Sequence, residues 1–287
     1  GIHRVNWLWL NRKLFERLGL TPPTDWEHFM TVAEQLKAQG VTPLAIGNEP
    51  WQLAVLFETV ALGEGGKAFY RKAFLEQDSA TLTGPDMVRV LTRFQQLRAH
   101  VPEKYAGLKW HQATNLLESG GAAMQIMGDW VKGELSAGNY RPGEDIDCLP
   151  SPGSQGLFSY NLDSIAMFKQ RDPAQLQAQG ELARLLMTPR FQEEFNRVKG
   201  SIPALTQPDM SKFDRCAIRS YHDFQLAERD GNLLPSMAEG MAVPTNMRQG
   251  IMDVLSSFFN DPKANSEQTA QQLERAMRST RSGAEQK

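Results

Sequence analysis

Two cysteines in 287 residues exclude a disulfide-dense scaffold, and because they form no C-x-x-C pair they also exclude a thioredoxin-like redox motif. No metal-binding His or Cys spacing is present, so the sequence calls for neither a metal nor a cofactor. No apolar run approaches the roughly 20 residues that a membrane-spanning helix needs. A net charge of -2 gives no electrostatic reason to expect a nucleic acid or an anionic membrane as partner. A phosphate-cradling glycine loop, a Ser-His-Asp or Cys-His arrangement, internal repeats and low-complexity tracts are all missing. The charged and apolar regions of a secretion signal are missing too. The chain opens instead on Gly1 and an apolar, strand-like run through Ile2, Val5, Trp7, Leu8 and Leu10. The histidines, His3, His28, His100, His111 and His222, are scattered and read as surface or cap residues.

What is present is helix alternating with short apolar strand, which predicts an α/β fold, over a length that permits two compact domains. Residues 11–18 read as a helix stopped by Gly19. Thr24, with Glu27 three residues later, forms a capping-box pattern before a helix whose apolar face is Phe29, Val32, Ala33 and Leu36. VTPLAIG reads as a strand that delivers Asn48, Glu49, Pro50 and Trp51. A helix from about Gly84 turns Met87, Val90, Leu91 and Phe94 to the core. Residues 151–159 turn through Pro152, Gly153 and Gly156. YNLDSIAMF runs apolar and extended. Helices are expected over 173–186, 189–198, 248–259 and 266–279, and the polar tail RSGAEQK is expected to fray.

The stretch GGAAMQIMGDW carries the most information. Gly121, Ala122 and Ala123 lead into Met124, Ile126 and Met127, a short strand buried on both faces, and Gly128 breaks it. Side chains at a strand's carboxyl end in an open α/β sheet point into the crevice where such folds bind ligands. An indole there covers the apolar face of a pyranose, and a carboxylate accepts from its hydroxyls. A core role for Trp130 and a helix N-cap role for Asp129 fit the residues equally well. Asn161 and Asp163, at i and i+2, share one face of a strand, and this pattern suits either a pair of hydrogen-bonding groups or a plain strand-entry turn.

Along nearly its whole length the chain resembles the solute-binding proteins of ABC sugar importers, most of all the glucose/mannose-binding group. The resemblance rests on HRVNWLWLNRKLFERLGLTPPTDWEHF, PWQLAVLFETV, GGAAMQIMGDW, YNLDSIAMF, KGSIP and LPSMAEGMA, in that order. It implies a two-lobe α/β binding-protein fold of type II. Residues 1–157 and 206–287 would build the C-terminal lobe, and 158–205 would be a returning segment of the N-terminal lobe. It also implies a substrate-binding set of Trp51, Asp129, Trp130, Asn161, Asp163, Lys199 and Glu239, with Lys199 holding a sugar oxygen. The glucose-binding relatives tend to carry histidine where this chain has Glu239, which puts glucose preference in question.

Further expectations follow from the same resemblance. The partners would be a mono- or small oligosaccharide and the permease's transmembrane subunits, for a monomer outside the cytoplasmic membrane, in the periplasm or beyond. In such an exported protein Cys148 and Cys216 would pair, a bridge worth about 4 kcal/mol on the chain-entropy model. Relatives carry about 100 residues, roughly a small domain, before the HRVNWLWLN strand. On that comparison the sequence reads as a fragment lacking most of the first lobe, with sugar binding weakened or lost. A glycoside hydrolase using Asp129, Asp163 and Glu239 as paired carboxylates is the enzymatic alternative.

Overall fold

The computed structural model describes residues 1–282. The opening apolar run is two strands, β1 (Ile2–Arg4) and β2 (Trp7–Asn11), where the sequence suggests one, and each joins a different sheet. The break at Val5 and Asn6 has a physical cause in the buried Asn6 amide. Its Oδ1 accepts from the Ser159 N–H at 3.0 Å, and its Nδ2 donates to Ser154 Oγ at 2.9 Å and to the Leu157 carbonyl at 3.1 Å. These bonds mark where the chain passes from one sheet to the other, with the Val5 N–H donating to the Ser159 carbonyl at 2.9 Å and the Asn6 carbonyl accepting from the Ser151 N–H at 3.1 Å.

β2 lies inside a four-stranded sheet with β3 (Thr42–Ala45), β4 (Ala122–Ile126) and β5 (Ile146–Pro150), in the order β3-β4-β2-β5. β3 runs parallel to β4, and the other pairs are antiparallel. Every residue of β4 is buried, as its small and apolar sequence predicts. β1 joins β6 (Phe158–Leu162) and β7 (Leu233–Pro235) in a three-stranded sheet with β6 at its centre.

Helix α1 (Arg12–Leu18) starts at Asn11, whose side chain accepts from the Leu14 N–H at 3.0 Å, and stops at Gly19 with φ 64°. α2 (Trp26–Ala38) is capped by Asp25, one residue after the expected Thr24: the Asp25 carboxylate accepts from the His28 N–H at 2.8 Å. Thr24 is engaged elsewhere, its carbonyl accepting from Gly153 N–H at 2.8 Å and from Gln155 Nε2 at 2.6 Å. α3 (Pro50–Val60) is buried at every position from Gln52 to Val60, the signature of a helix at the centre of a core. After α4 (Gly66–Tyr70) and α5 (Ser79–Thr83), α6 (Pro85–Gln96) turns Met87, Val90, Leu91 and Phe94 inward as expected. α7 (Trp110–Ser119) and α8 (Val131–Ala137) flank β4 in sequence.

α9 (Pro173–Leu186), α10 (Pro189–Lys199) and α11 (Arg215–Arg229) follow, then α12 (Thr245–Asn260), which packs along α3, and α13 (Ser266–Ser282), which packs along α12. Of the polar tail, 281 and 282 belong to α13, and 283–287 lie outside the described residues. Cys148 of β5 and Cys216 of α11 form a disulfide with Cα atoms 5.9 Å apart, so the four-stranded sheet and α11 are covalently joined. The extended stretch expected over YNLDSIAMF is a strand only to Leu162. The Asp163 N–H still donates to the Gly1 carbonyl at 3.1 Å, and beyond it Ile165 and Phe168 are 62% and 78% exposed.

Candidate functional site

The site forms where the two sheets meet. β1 and β6 pair so that His3 stands opposite Asn161, and the Asp129 N–H donates to the Arg4 carbonyl at 3.0 Å while the Arg4 N–H donates to Asp129 Oδ2 at 2.9 Å. The loop after β4 is thereby fastened to β1. Arg4 anchors β1 in turn. Its buried guanidinium donates to Asp223 at 2.5 Å and lies over the Trp7 ring, 4.2 Å from the centroid.

The imidazole of His3 sits between two carboxylates, with Nδ1 2.5 Å from Asp129 and Nε2 3.1 Å from Asp163. Burial disfavours its charge, but the Asp129 and Asp163 carboxylates outweigh that and raise its pKa to about 9. His3 is therefore an imidazolium at neutral pH, donating from both nitrogens. Asp163 also accepts from Asn161 Nδ2 at 3.1 Å and pairs with Lys199 Nζ at 3.3 Å. The hydrogen bond from His3, helped by the Lys199 charge and only partly opposed by burial, holds the Asp163 carboxyl below the usual carboxylate range.

A pocket of about 260 Å³ opens above this network. Trp51, at the start of α3, and Trp130, at the start of α8, form one wall with ring centroids 6.3 Å apart. Trp130 also meets His3 edge-on at 5.8 Å. Gly128 makes this placement possible, because a Cβ there would lie 2.2 Å from the Trp130 ring. The rest of the lining is His3, Trp110, Asn161, Asp163, Lys199 and Glu239. Lys199 comes from the end of α10, where Gly200, at φ 94°, packs so closely on the loop after β4 that a Cβ would lie 2.4 Å from the Asp129 carbonyl oxygen.

Glu239 is presented by a turn after β7 that is held from beneath. Glu58, wholly buried on α3, accepts from the Ala238 N–H and from Ser236 Oγ, both at 2.7 Å, and from Ser159 of β6. Ser236 Oγ then accepts from the Glu239 N–H at 3.0 Å. Burial raises the Glu58 pKa to about 7, with those three hydrogen bonds opposing the rise. Glu239 itself is also raised by burial, against the opposing charges of Arg248 and His3. Two polar atoms of the pocket residues, Glu239 Oε1 and Trp130 Nε1, are buried without a hydrogen-bond partner among the described residues.

Of the residues singled out from the sequence, the fold brings Trp51, Trp130, Asn161, Asp163, Lys199 and Glu239 round one pocket. Asp129 lies one layer below: it is 1% exposed, and its carboxylate is taken up by His3 and the Arg4 N–H, so it positions the wall instead of lining it. Nor does its side chain cap α8. His3 and His100, expected at the surface or in caps, are each 1% exposed, and His3 is a pocket residue. The signal for His3 is its place, with Arg4, in a strand that is otherwise apolar, where burial demands partners. Trp110 was also passed over. It shares a face with the buried Ala113 and Thr114 of α7, so its spacing looks like core. Among the described residues no group of three His, Cys, Asp or Glu side chains is placed to hold a metal ion, and no helix is long and apolar enough to cross a membrane.

Comparison with known proteins bears on this arrangement. A probable sugar-binding periplasmic protein of Brucella suis is 39% identical over 263 residues, covering 91% of this chain and 61% of that protein. One of the same description from Rhizobium meliloti is 38% identical, covering 95% and 65% respectively. The chain thus spans a little under two thirds of the length of these relatives. Among solved structures, a chitin oligosaccharide binding protein superposes with a TM-score of 0.79 at 20% identity, covering 97% of this chain and 70% of the other. A bacterial solute receptor described as preferring β-D-galactopyranose gives 0.73 at 18% identity, covering 97% and 71%. The fold is therefore the α/β, type II fold of the periplasmic binding proteins. Residues 2–169 match the family described as bacterial extracellular solute-binding protein, and the chain belongs to that family.

Proposed function

We propose that the chain is a carbohydrate-binding component of an ABC importer, capturing a glucose-like monosaccharide in the pocket and presenting it to the permease's transmembrane subunits. The observation that carries this reading is the convergence of three indoles with an amide, two carboxylates and an ammonium group on one pocket. Indoles cover the apolar faces of a pyranose, and the polar groups bond the hydroxyls at its rim. The volume of about 260 Å³ is small for a ligand pocket and favours one sugar unit. The descriptions of the Brucella suis and Rhizobium meliloti relatives support a sugar as ligand and the periplasm as location. The disulfide suits an oxidising compartment.

The lobe division proposed is 1–157 with 206–287, and 158–205 as a returning segment of the other lobe. The chain leaves the four-stranded sheet after β5 and enters the small sheet at β6, where β1 and β7 from the flanking segments meet it. Binding would close the pocket by favouring the arrangement in which both sides touch the sugar. Bound sugar is not turned over on this reading, and a chromogenic glycoside should stay intact.

Calorimetric titration with glucose, mannose and galactose tests the proposal. Saturable binding is expected, weakened by about 1 to 3 kcal/mol in Trp130→Ala. A second reading is favoured by the openness of one side, where Asp163 and Lys199 are 40% and 42% exposed: the walls present here are only part of the cleft, and sugar binds weakly or not at all. A titration flat at high sugar concentration overturns sugar binding by this chain.

A further inference from the structure

The charges of the pocket are not evenly matched, and the mismatch points to a narrower ligand class. Asp163 is paired with both His3 and Lys199, and Asp129 is paired with His3. Both cations that line the pocket are thus engaged by carboxylates. Glu239 is the exception. It lines the same pocket, no cation lies within ion-pair distance of it among the described residues, and its Oε1 has no hydrogen-bond partner. The guanidinium of Arg248 on α12 is the remaining charge on that side. It runs beneath Gly240, with Cδ 3.3 Å and Nη1 3.5 Å from where a Cβ would stand, and its Nε is also unpartnered. It tempers the Glu239 charge without bonding to it.

A desolvated carboxylate without a partner is costly and gains most from a donor that carries charge. The Ser236 and Glu58 hydrogen bonds fix the Glu239 backbone at the rim of the pocket. The neighbouring walls are indoles, whose faces attract a cation as well as a sugar ring. We propose that the ligand is an amino sugar, a hexose carrying a free, protonated amino group that bonds Glu239 while its ring lies against the tryptophans. This rests on the sugar-binding reading and specifies its ligand. Glu239 is then the specificity-determining residue, and a neutral hexose offers its carboxylate only an uncharged hydroxyl donor.

The test is calorimetry on the full chain at about pH 6.5, where a sugar amine with an ordinary amine pKa is protonated, using D-glucosamine, D-glucose and N-acetyl-D-glucosamine. A charge-assisted hydrogen bond predicts roughly ten- to hundred-fold tighter binding of glucosamine than of glucose. The acetylated sugar, of the same skeleton without the charge, should show no such gain. Glu239→Gln should remove the preference of glucosamine over glucose, whatever it does to the affinity for either sugar alone. Glucosamine binding no tighter than glucose, or a preference that survives Glu239→Gln, overturns the inference and leaves sugar binding standing. Absence of binding by all three sugars overturns both.

Discussion

The helices round α3 and the stretch from 163 to 187 both carry apolar side chains, yet only the first group is packed. Phe94 of α6 is fully buried with its ring 5.5 Å from Phe57 and 4.8 Å from Phe259. α9 contributes no buried residue at all, and Leu176, Leu185 and Met187 are 59%, 54% and 63% exposed. Helix formation in α9 follows from local signals: Asp172 caps it by accepting from the Ala174 N–H at 2.9 Å, and Pro173 opens it. Burial follows from what lies opposite, which no helix pattern records. A periodic apolar face therefore establishes that a helix forms and says nothing of whether its stripe is covered.

The largest expected effect lies in the packed group. Phe94→Ala should cost about 3 to 5 kcal/mol, read by urea or thermal unfolding, as for a large core aromatic. A loss below about 1 kcal/mol would mean that the α3 region is as loosely held as α9. Next is His3, which straddles the boundary by bonding Asp129 on one side and Asp163 on the other. Its folded pKa of about 9 exceeds the ordinary 6.5, so the stability it contributes is complete below pH 6.5 and is lost as pH rises through about 9. The loss should reach about 2 to 3 kcal/mol. Unfolding of wild type and His3→Gln across this window checks it, and the variant should lack the slope. The smallest effect belongs to the exposed stretch: Phe168→Ser should change stability by no more than about 0.5 kcal/mol while reducing binding of an apolar dye. A large loss there would show that the two regions are packed alike.

The same division explains what could be read from the sequence. Elements fixed by local chemistry were legible: α9 spans the expected 173–186, α1 stops at Gly19, and β4 is the buried strand that GGAAMQIM predicts. Six of the expected site residues converge: Trp51 and Trp130 stand at helix starts, Asn161 and Asp163 at the end of β6, Lys199 at the end of α10 and Glu239 in the turn after β7. What escaped depended on partners distant in sequence. Asp129 looks like a ligand contact until His3 and the Arg4 N–H engage it, and the Val5–Asn6 break becomes visible only once Ser154, Leu157 and Ser159 stand beside Asn6. The shift of the α2 cap from Thr24 to Asp25 follows likewise from the 151–156 loop binding the Thr24 carbonyl.

The close approach of Gly200 to the loop after β4 has a mechanical consequence. With no room for even a methyl group between that glycine and the Asp129 carbonyl, the end of α10 cannot slide past the start of α8. Lys199 and Trp130 are thus seated beside each other although they belong to separate helices and, on the proposed division, to different lobes. Asp129, bonded to both His3 and the Arg4 backbone, fastens β1 to the Trp130 side of that contact. On the proposed lobe division, any motion that opens the pocket must part this contact, and any motion that shuts it must restore the contact. The glycine thus sets how closely Lys199 and Trp130 can face each other when the pocket is shut.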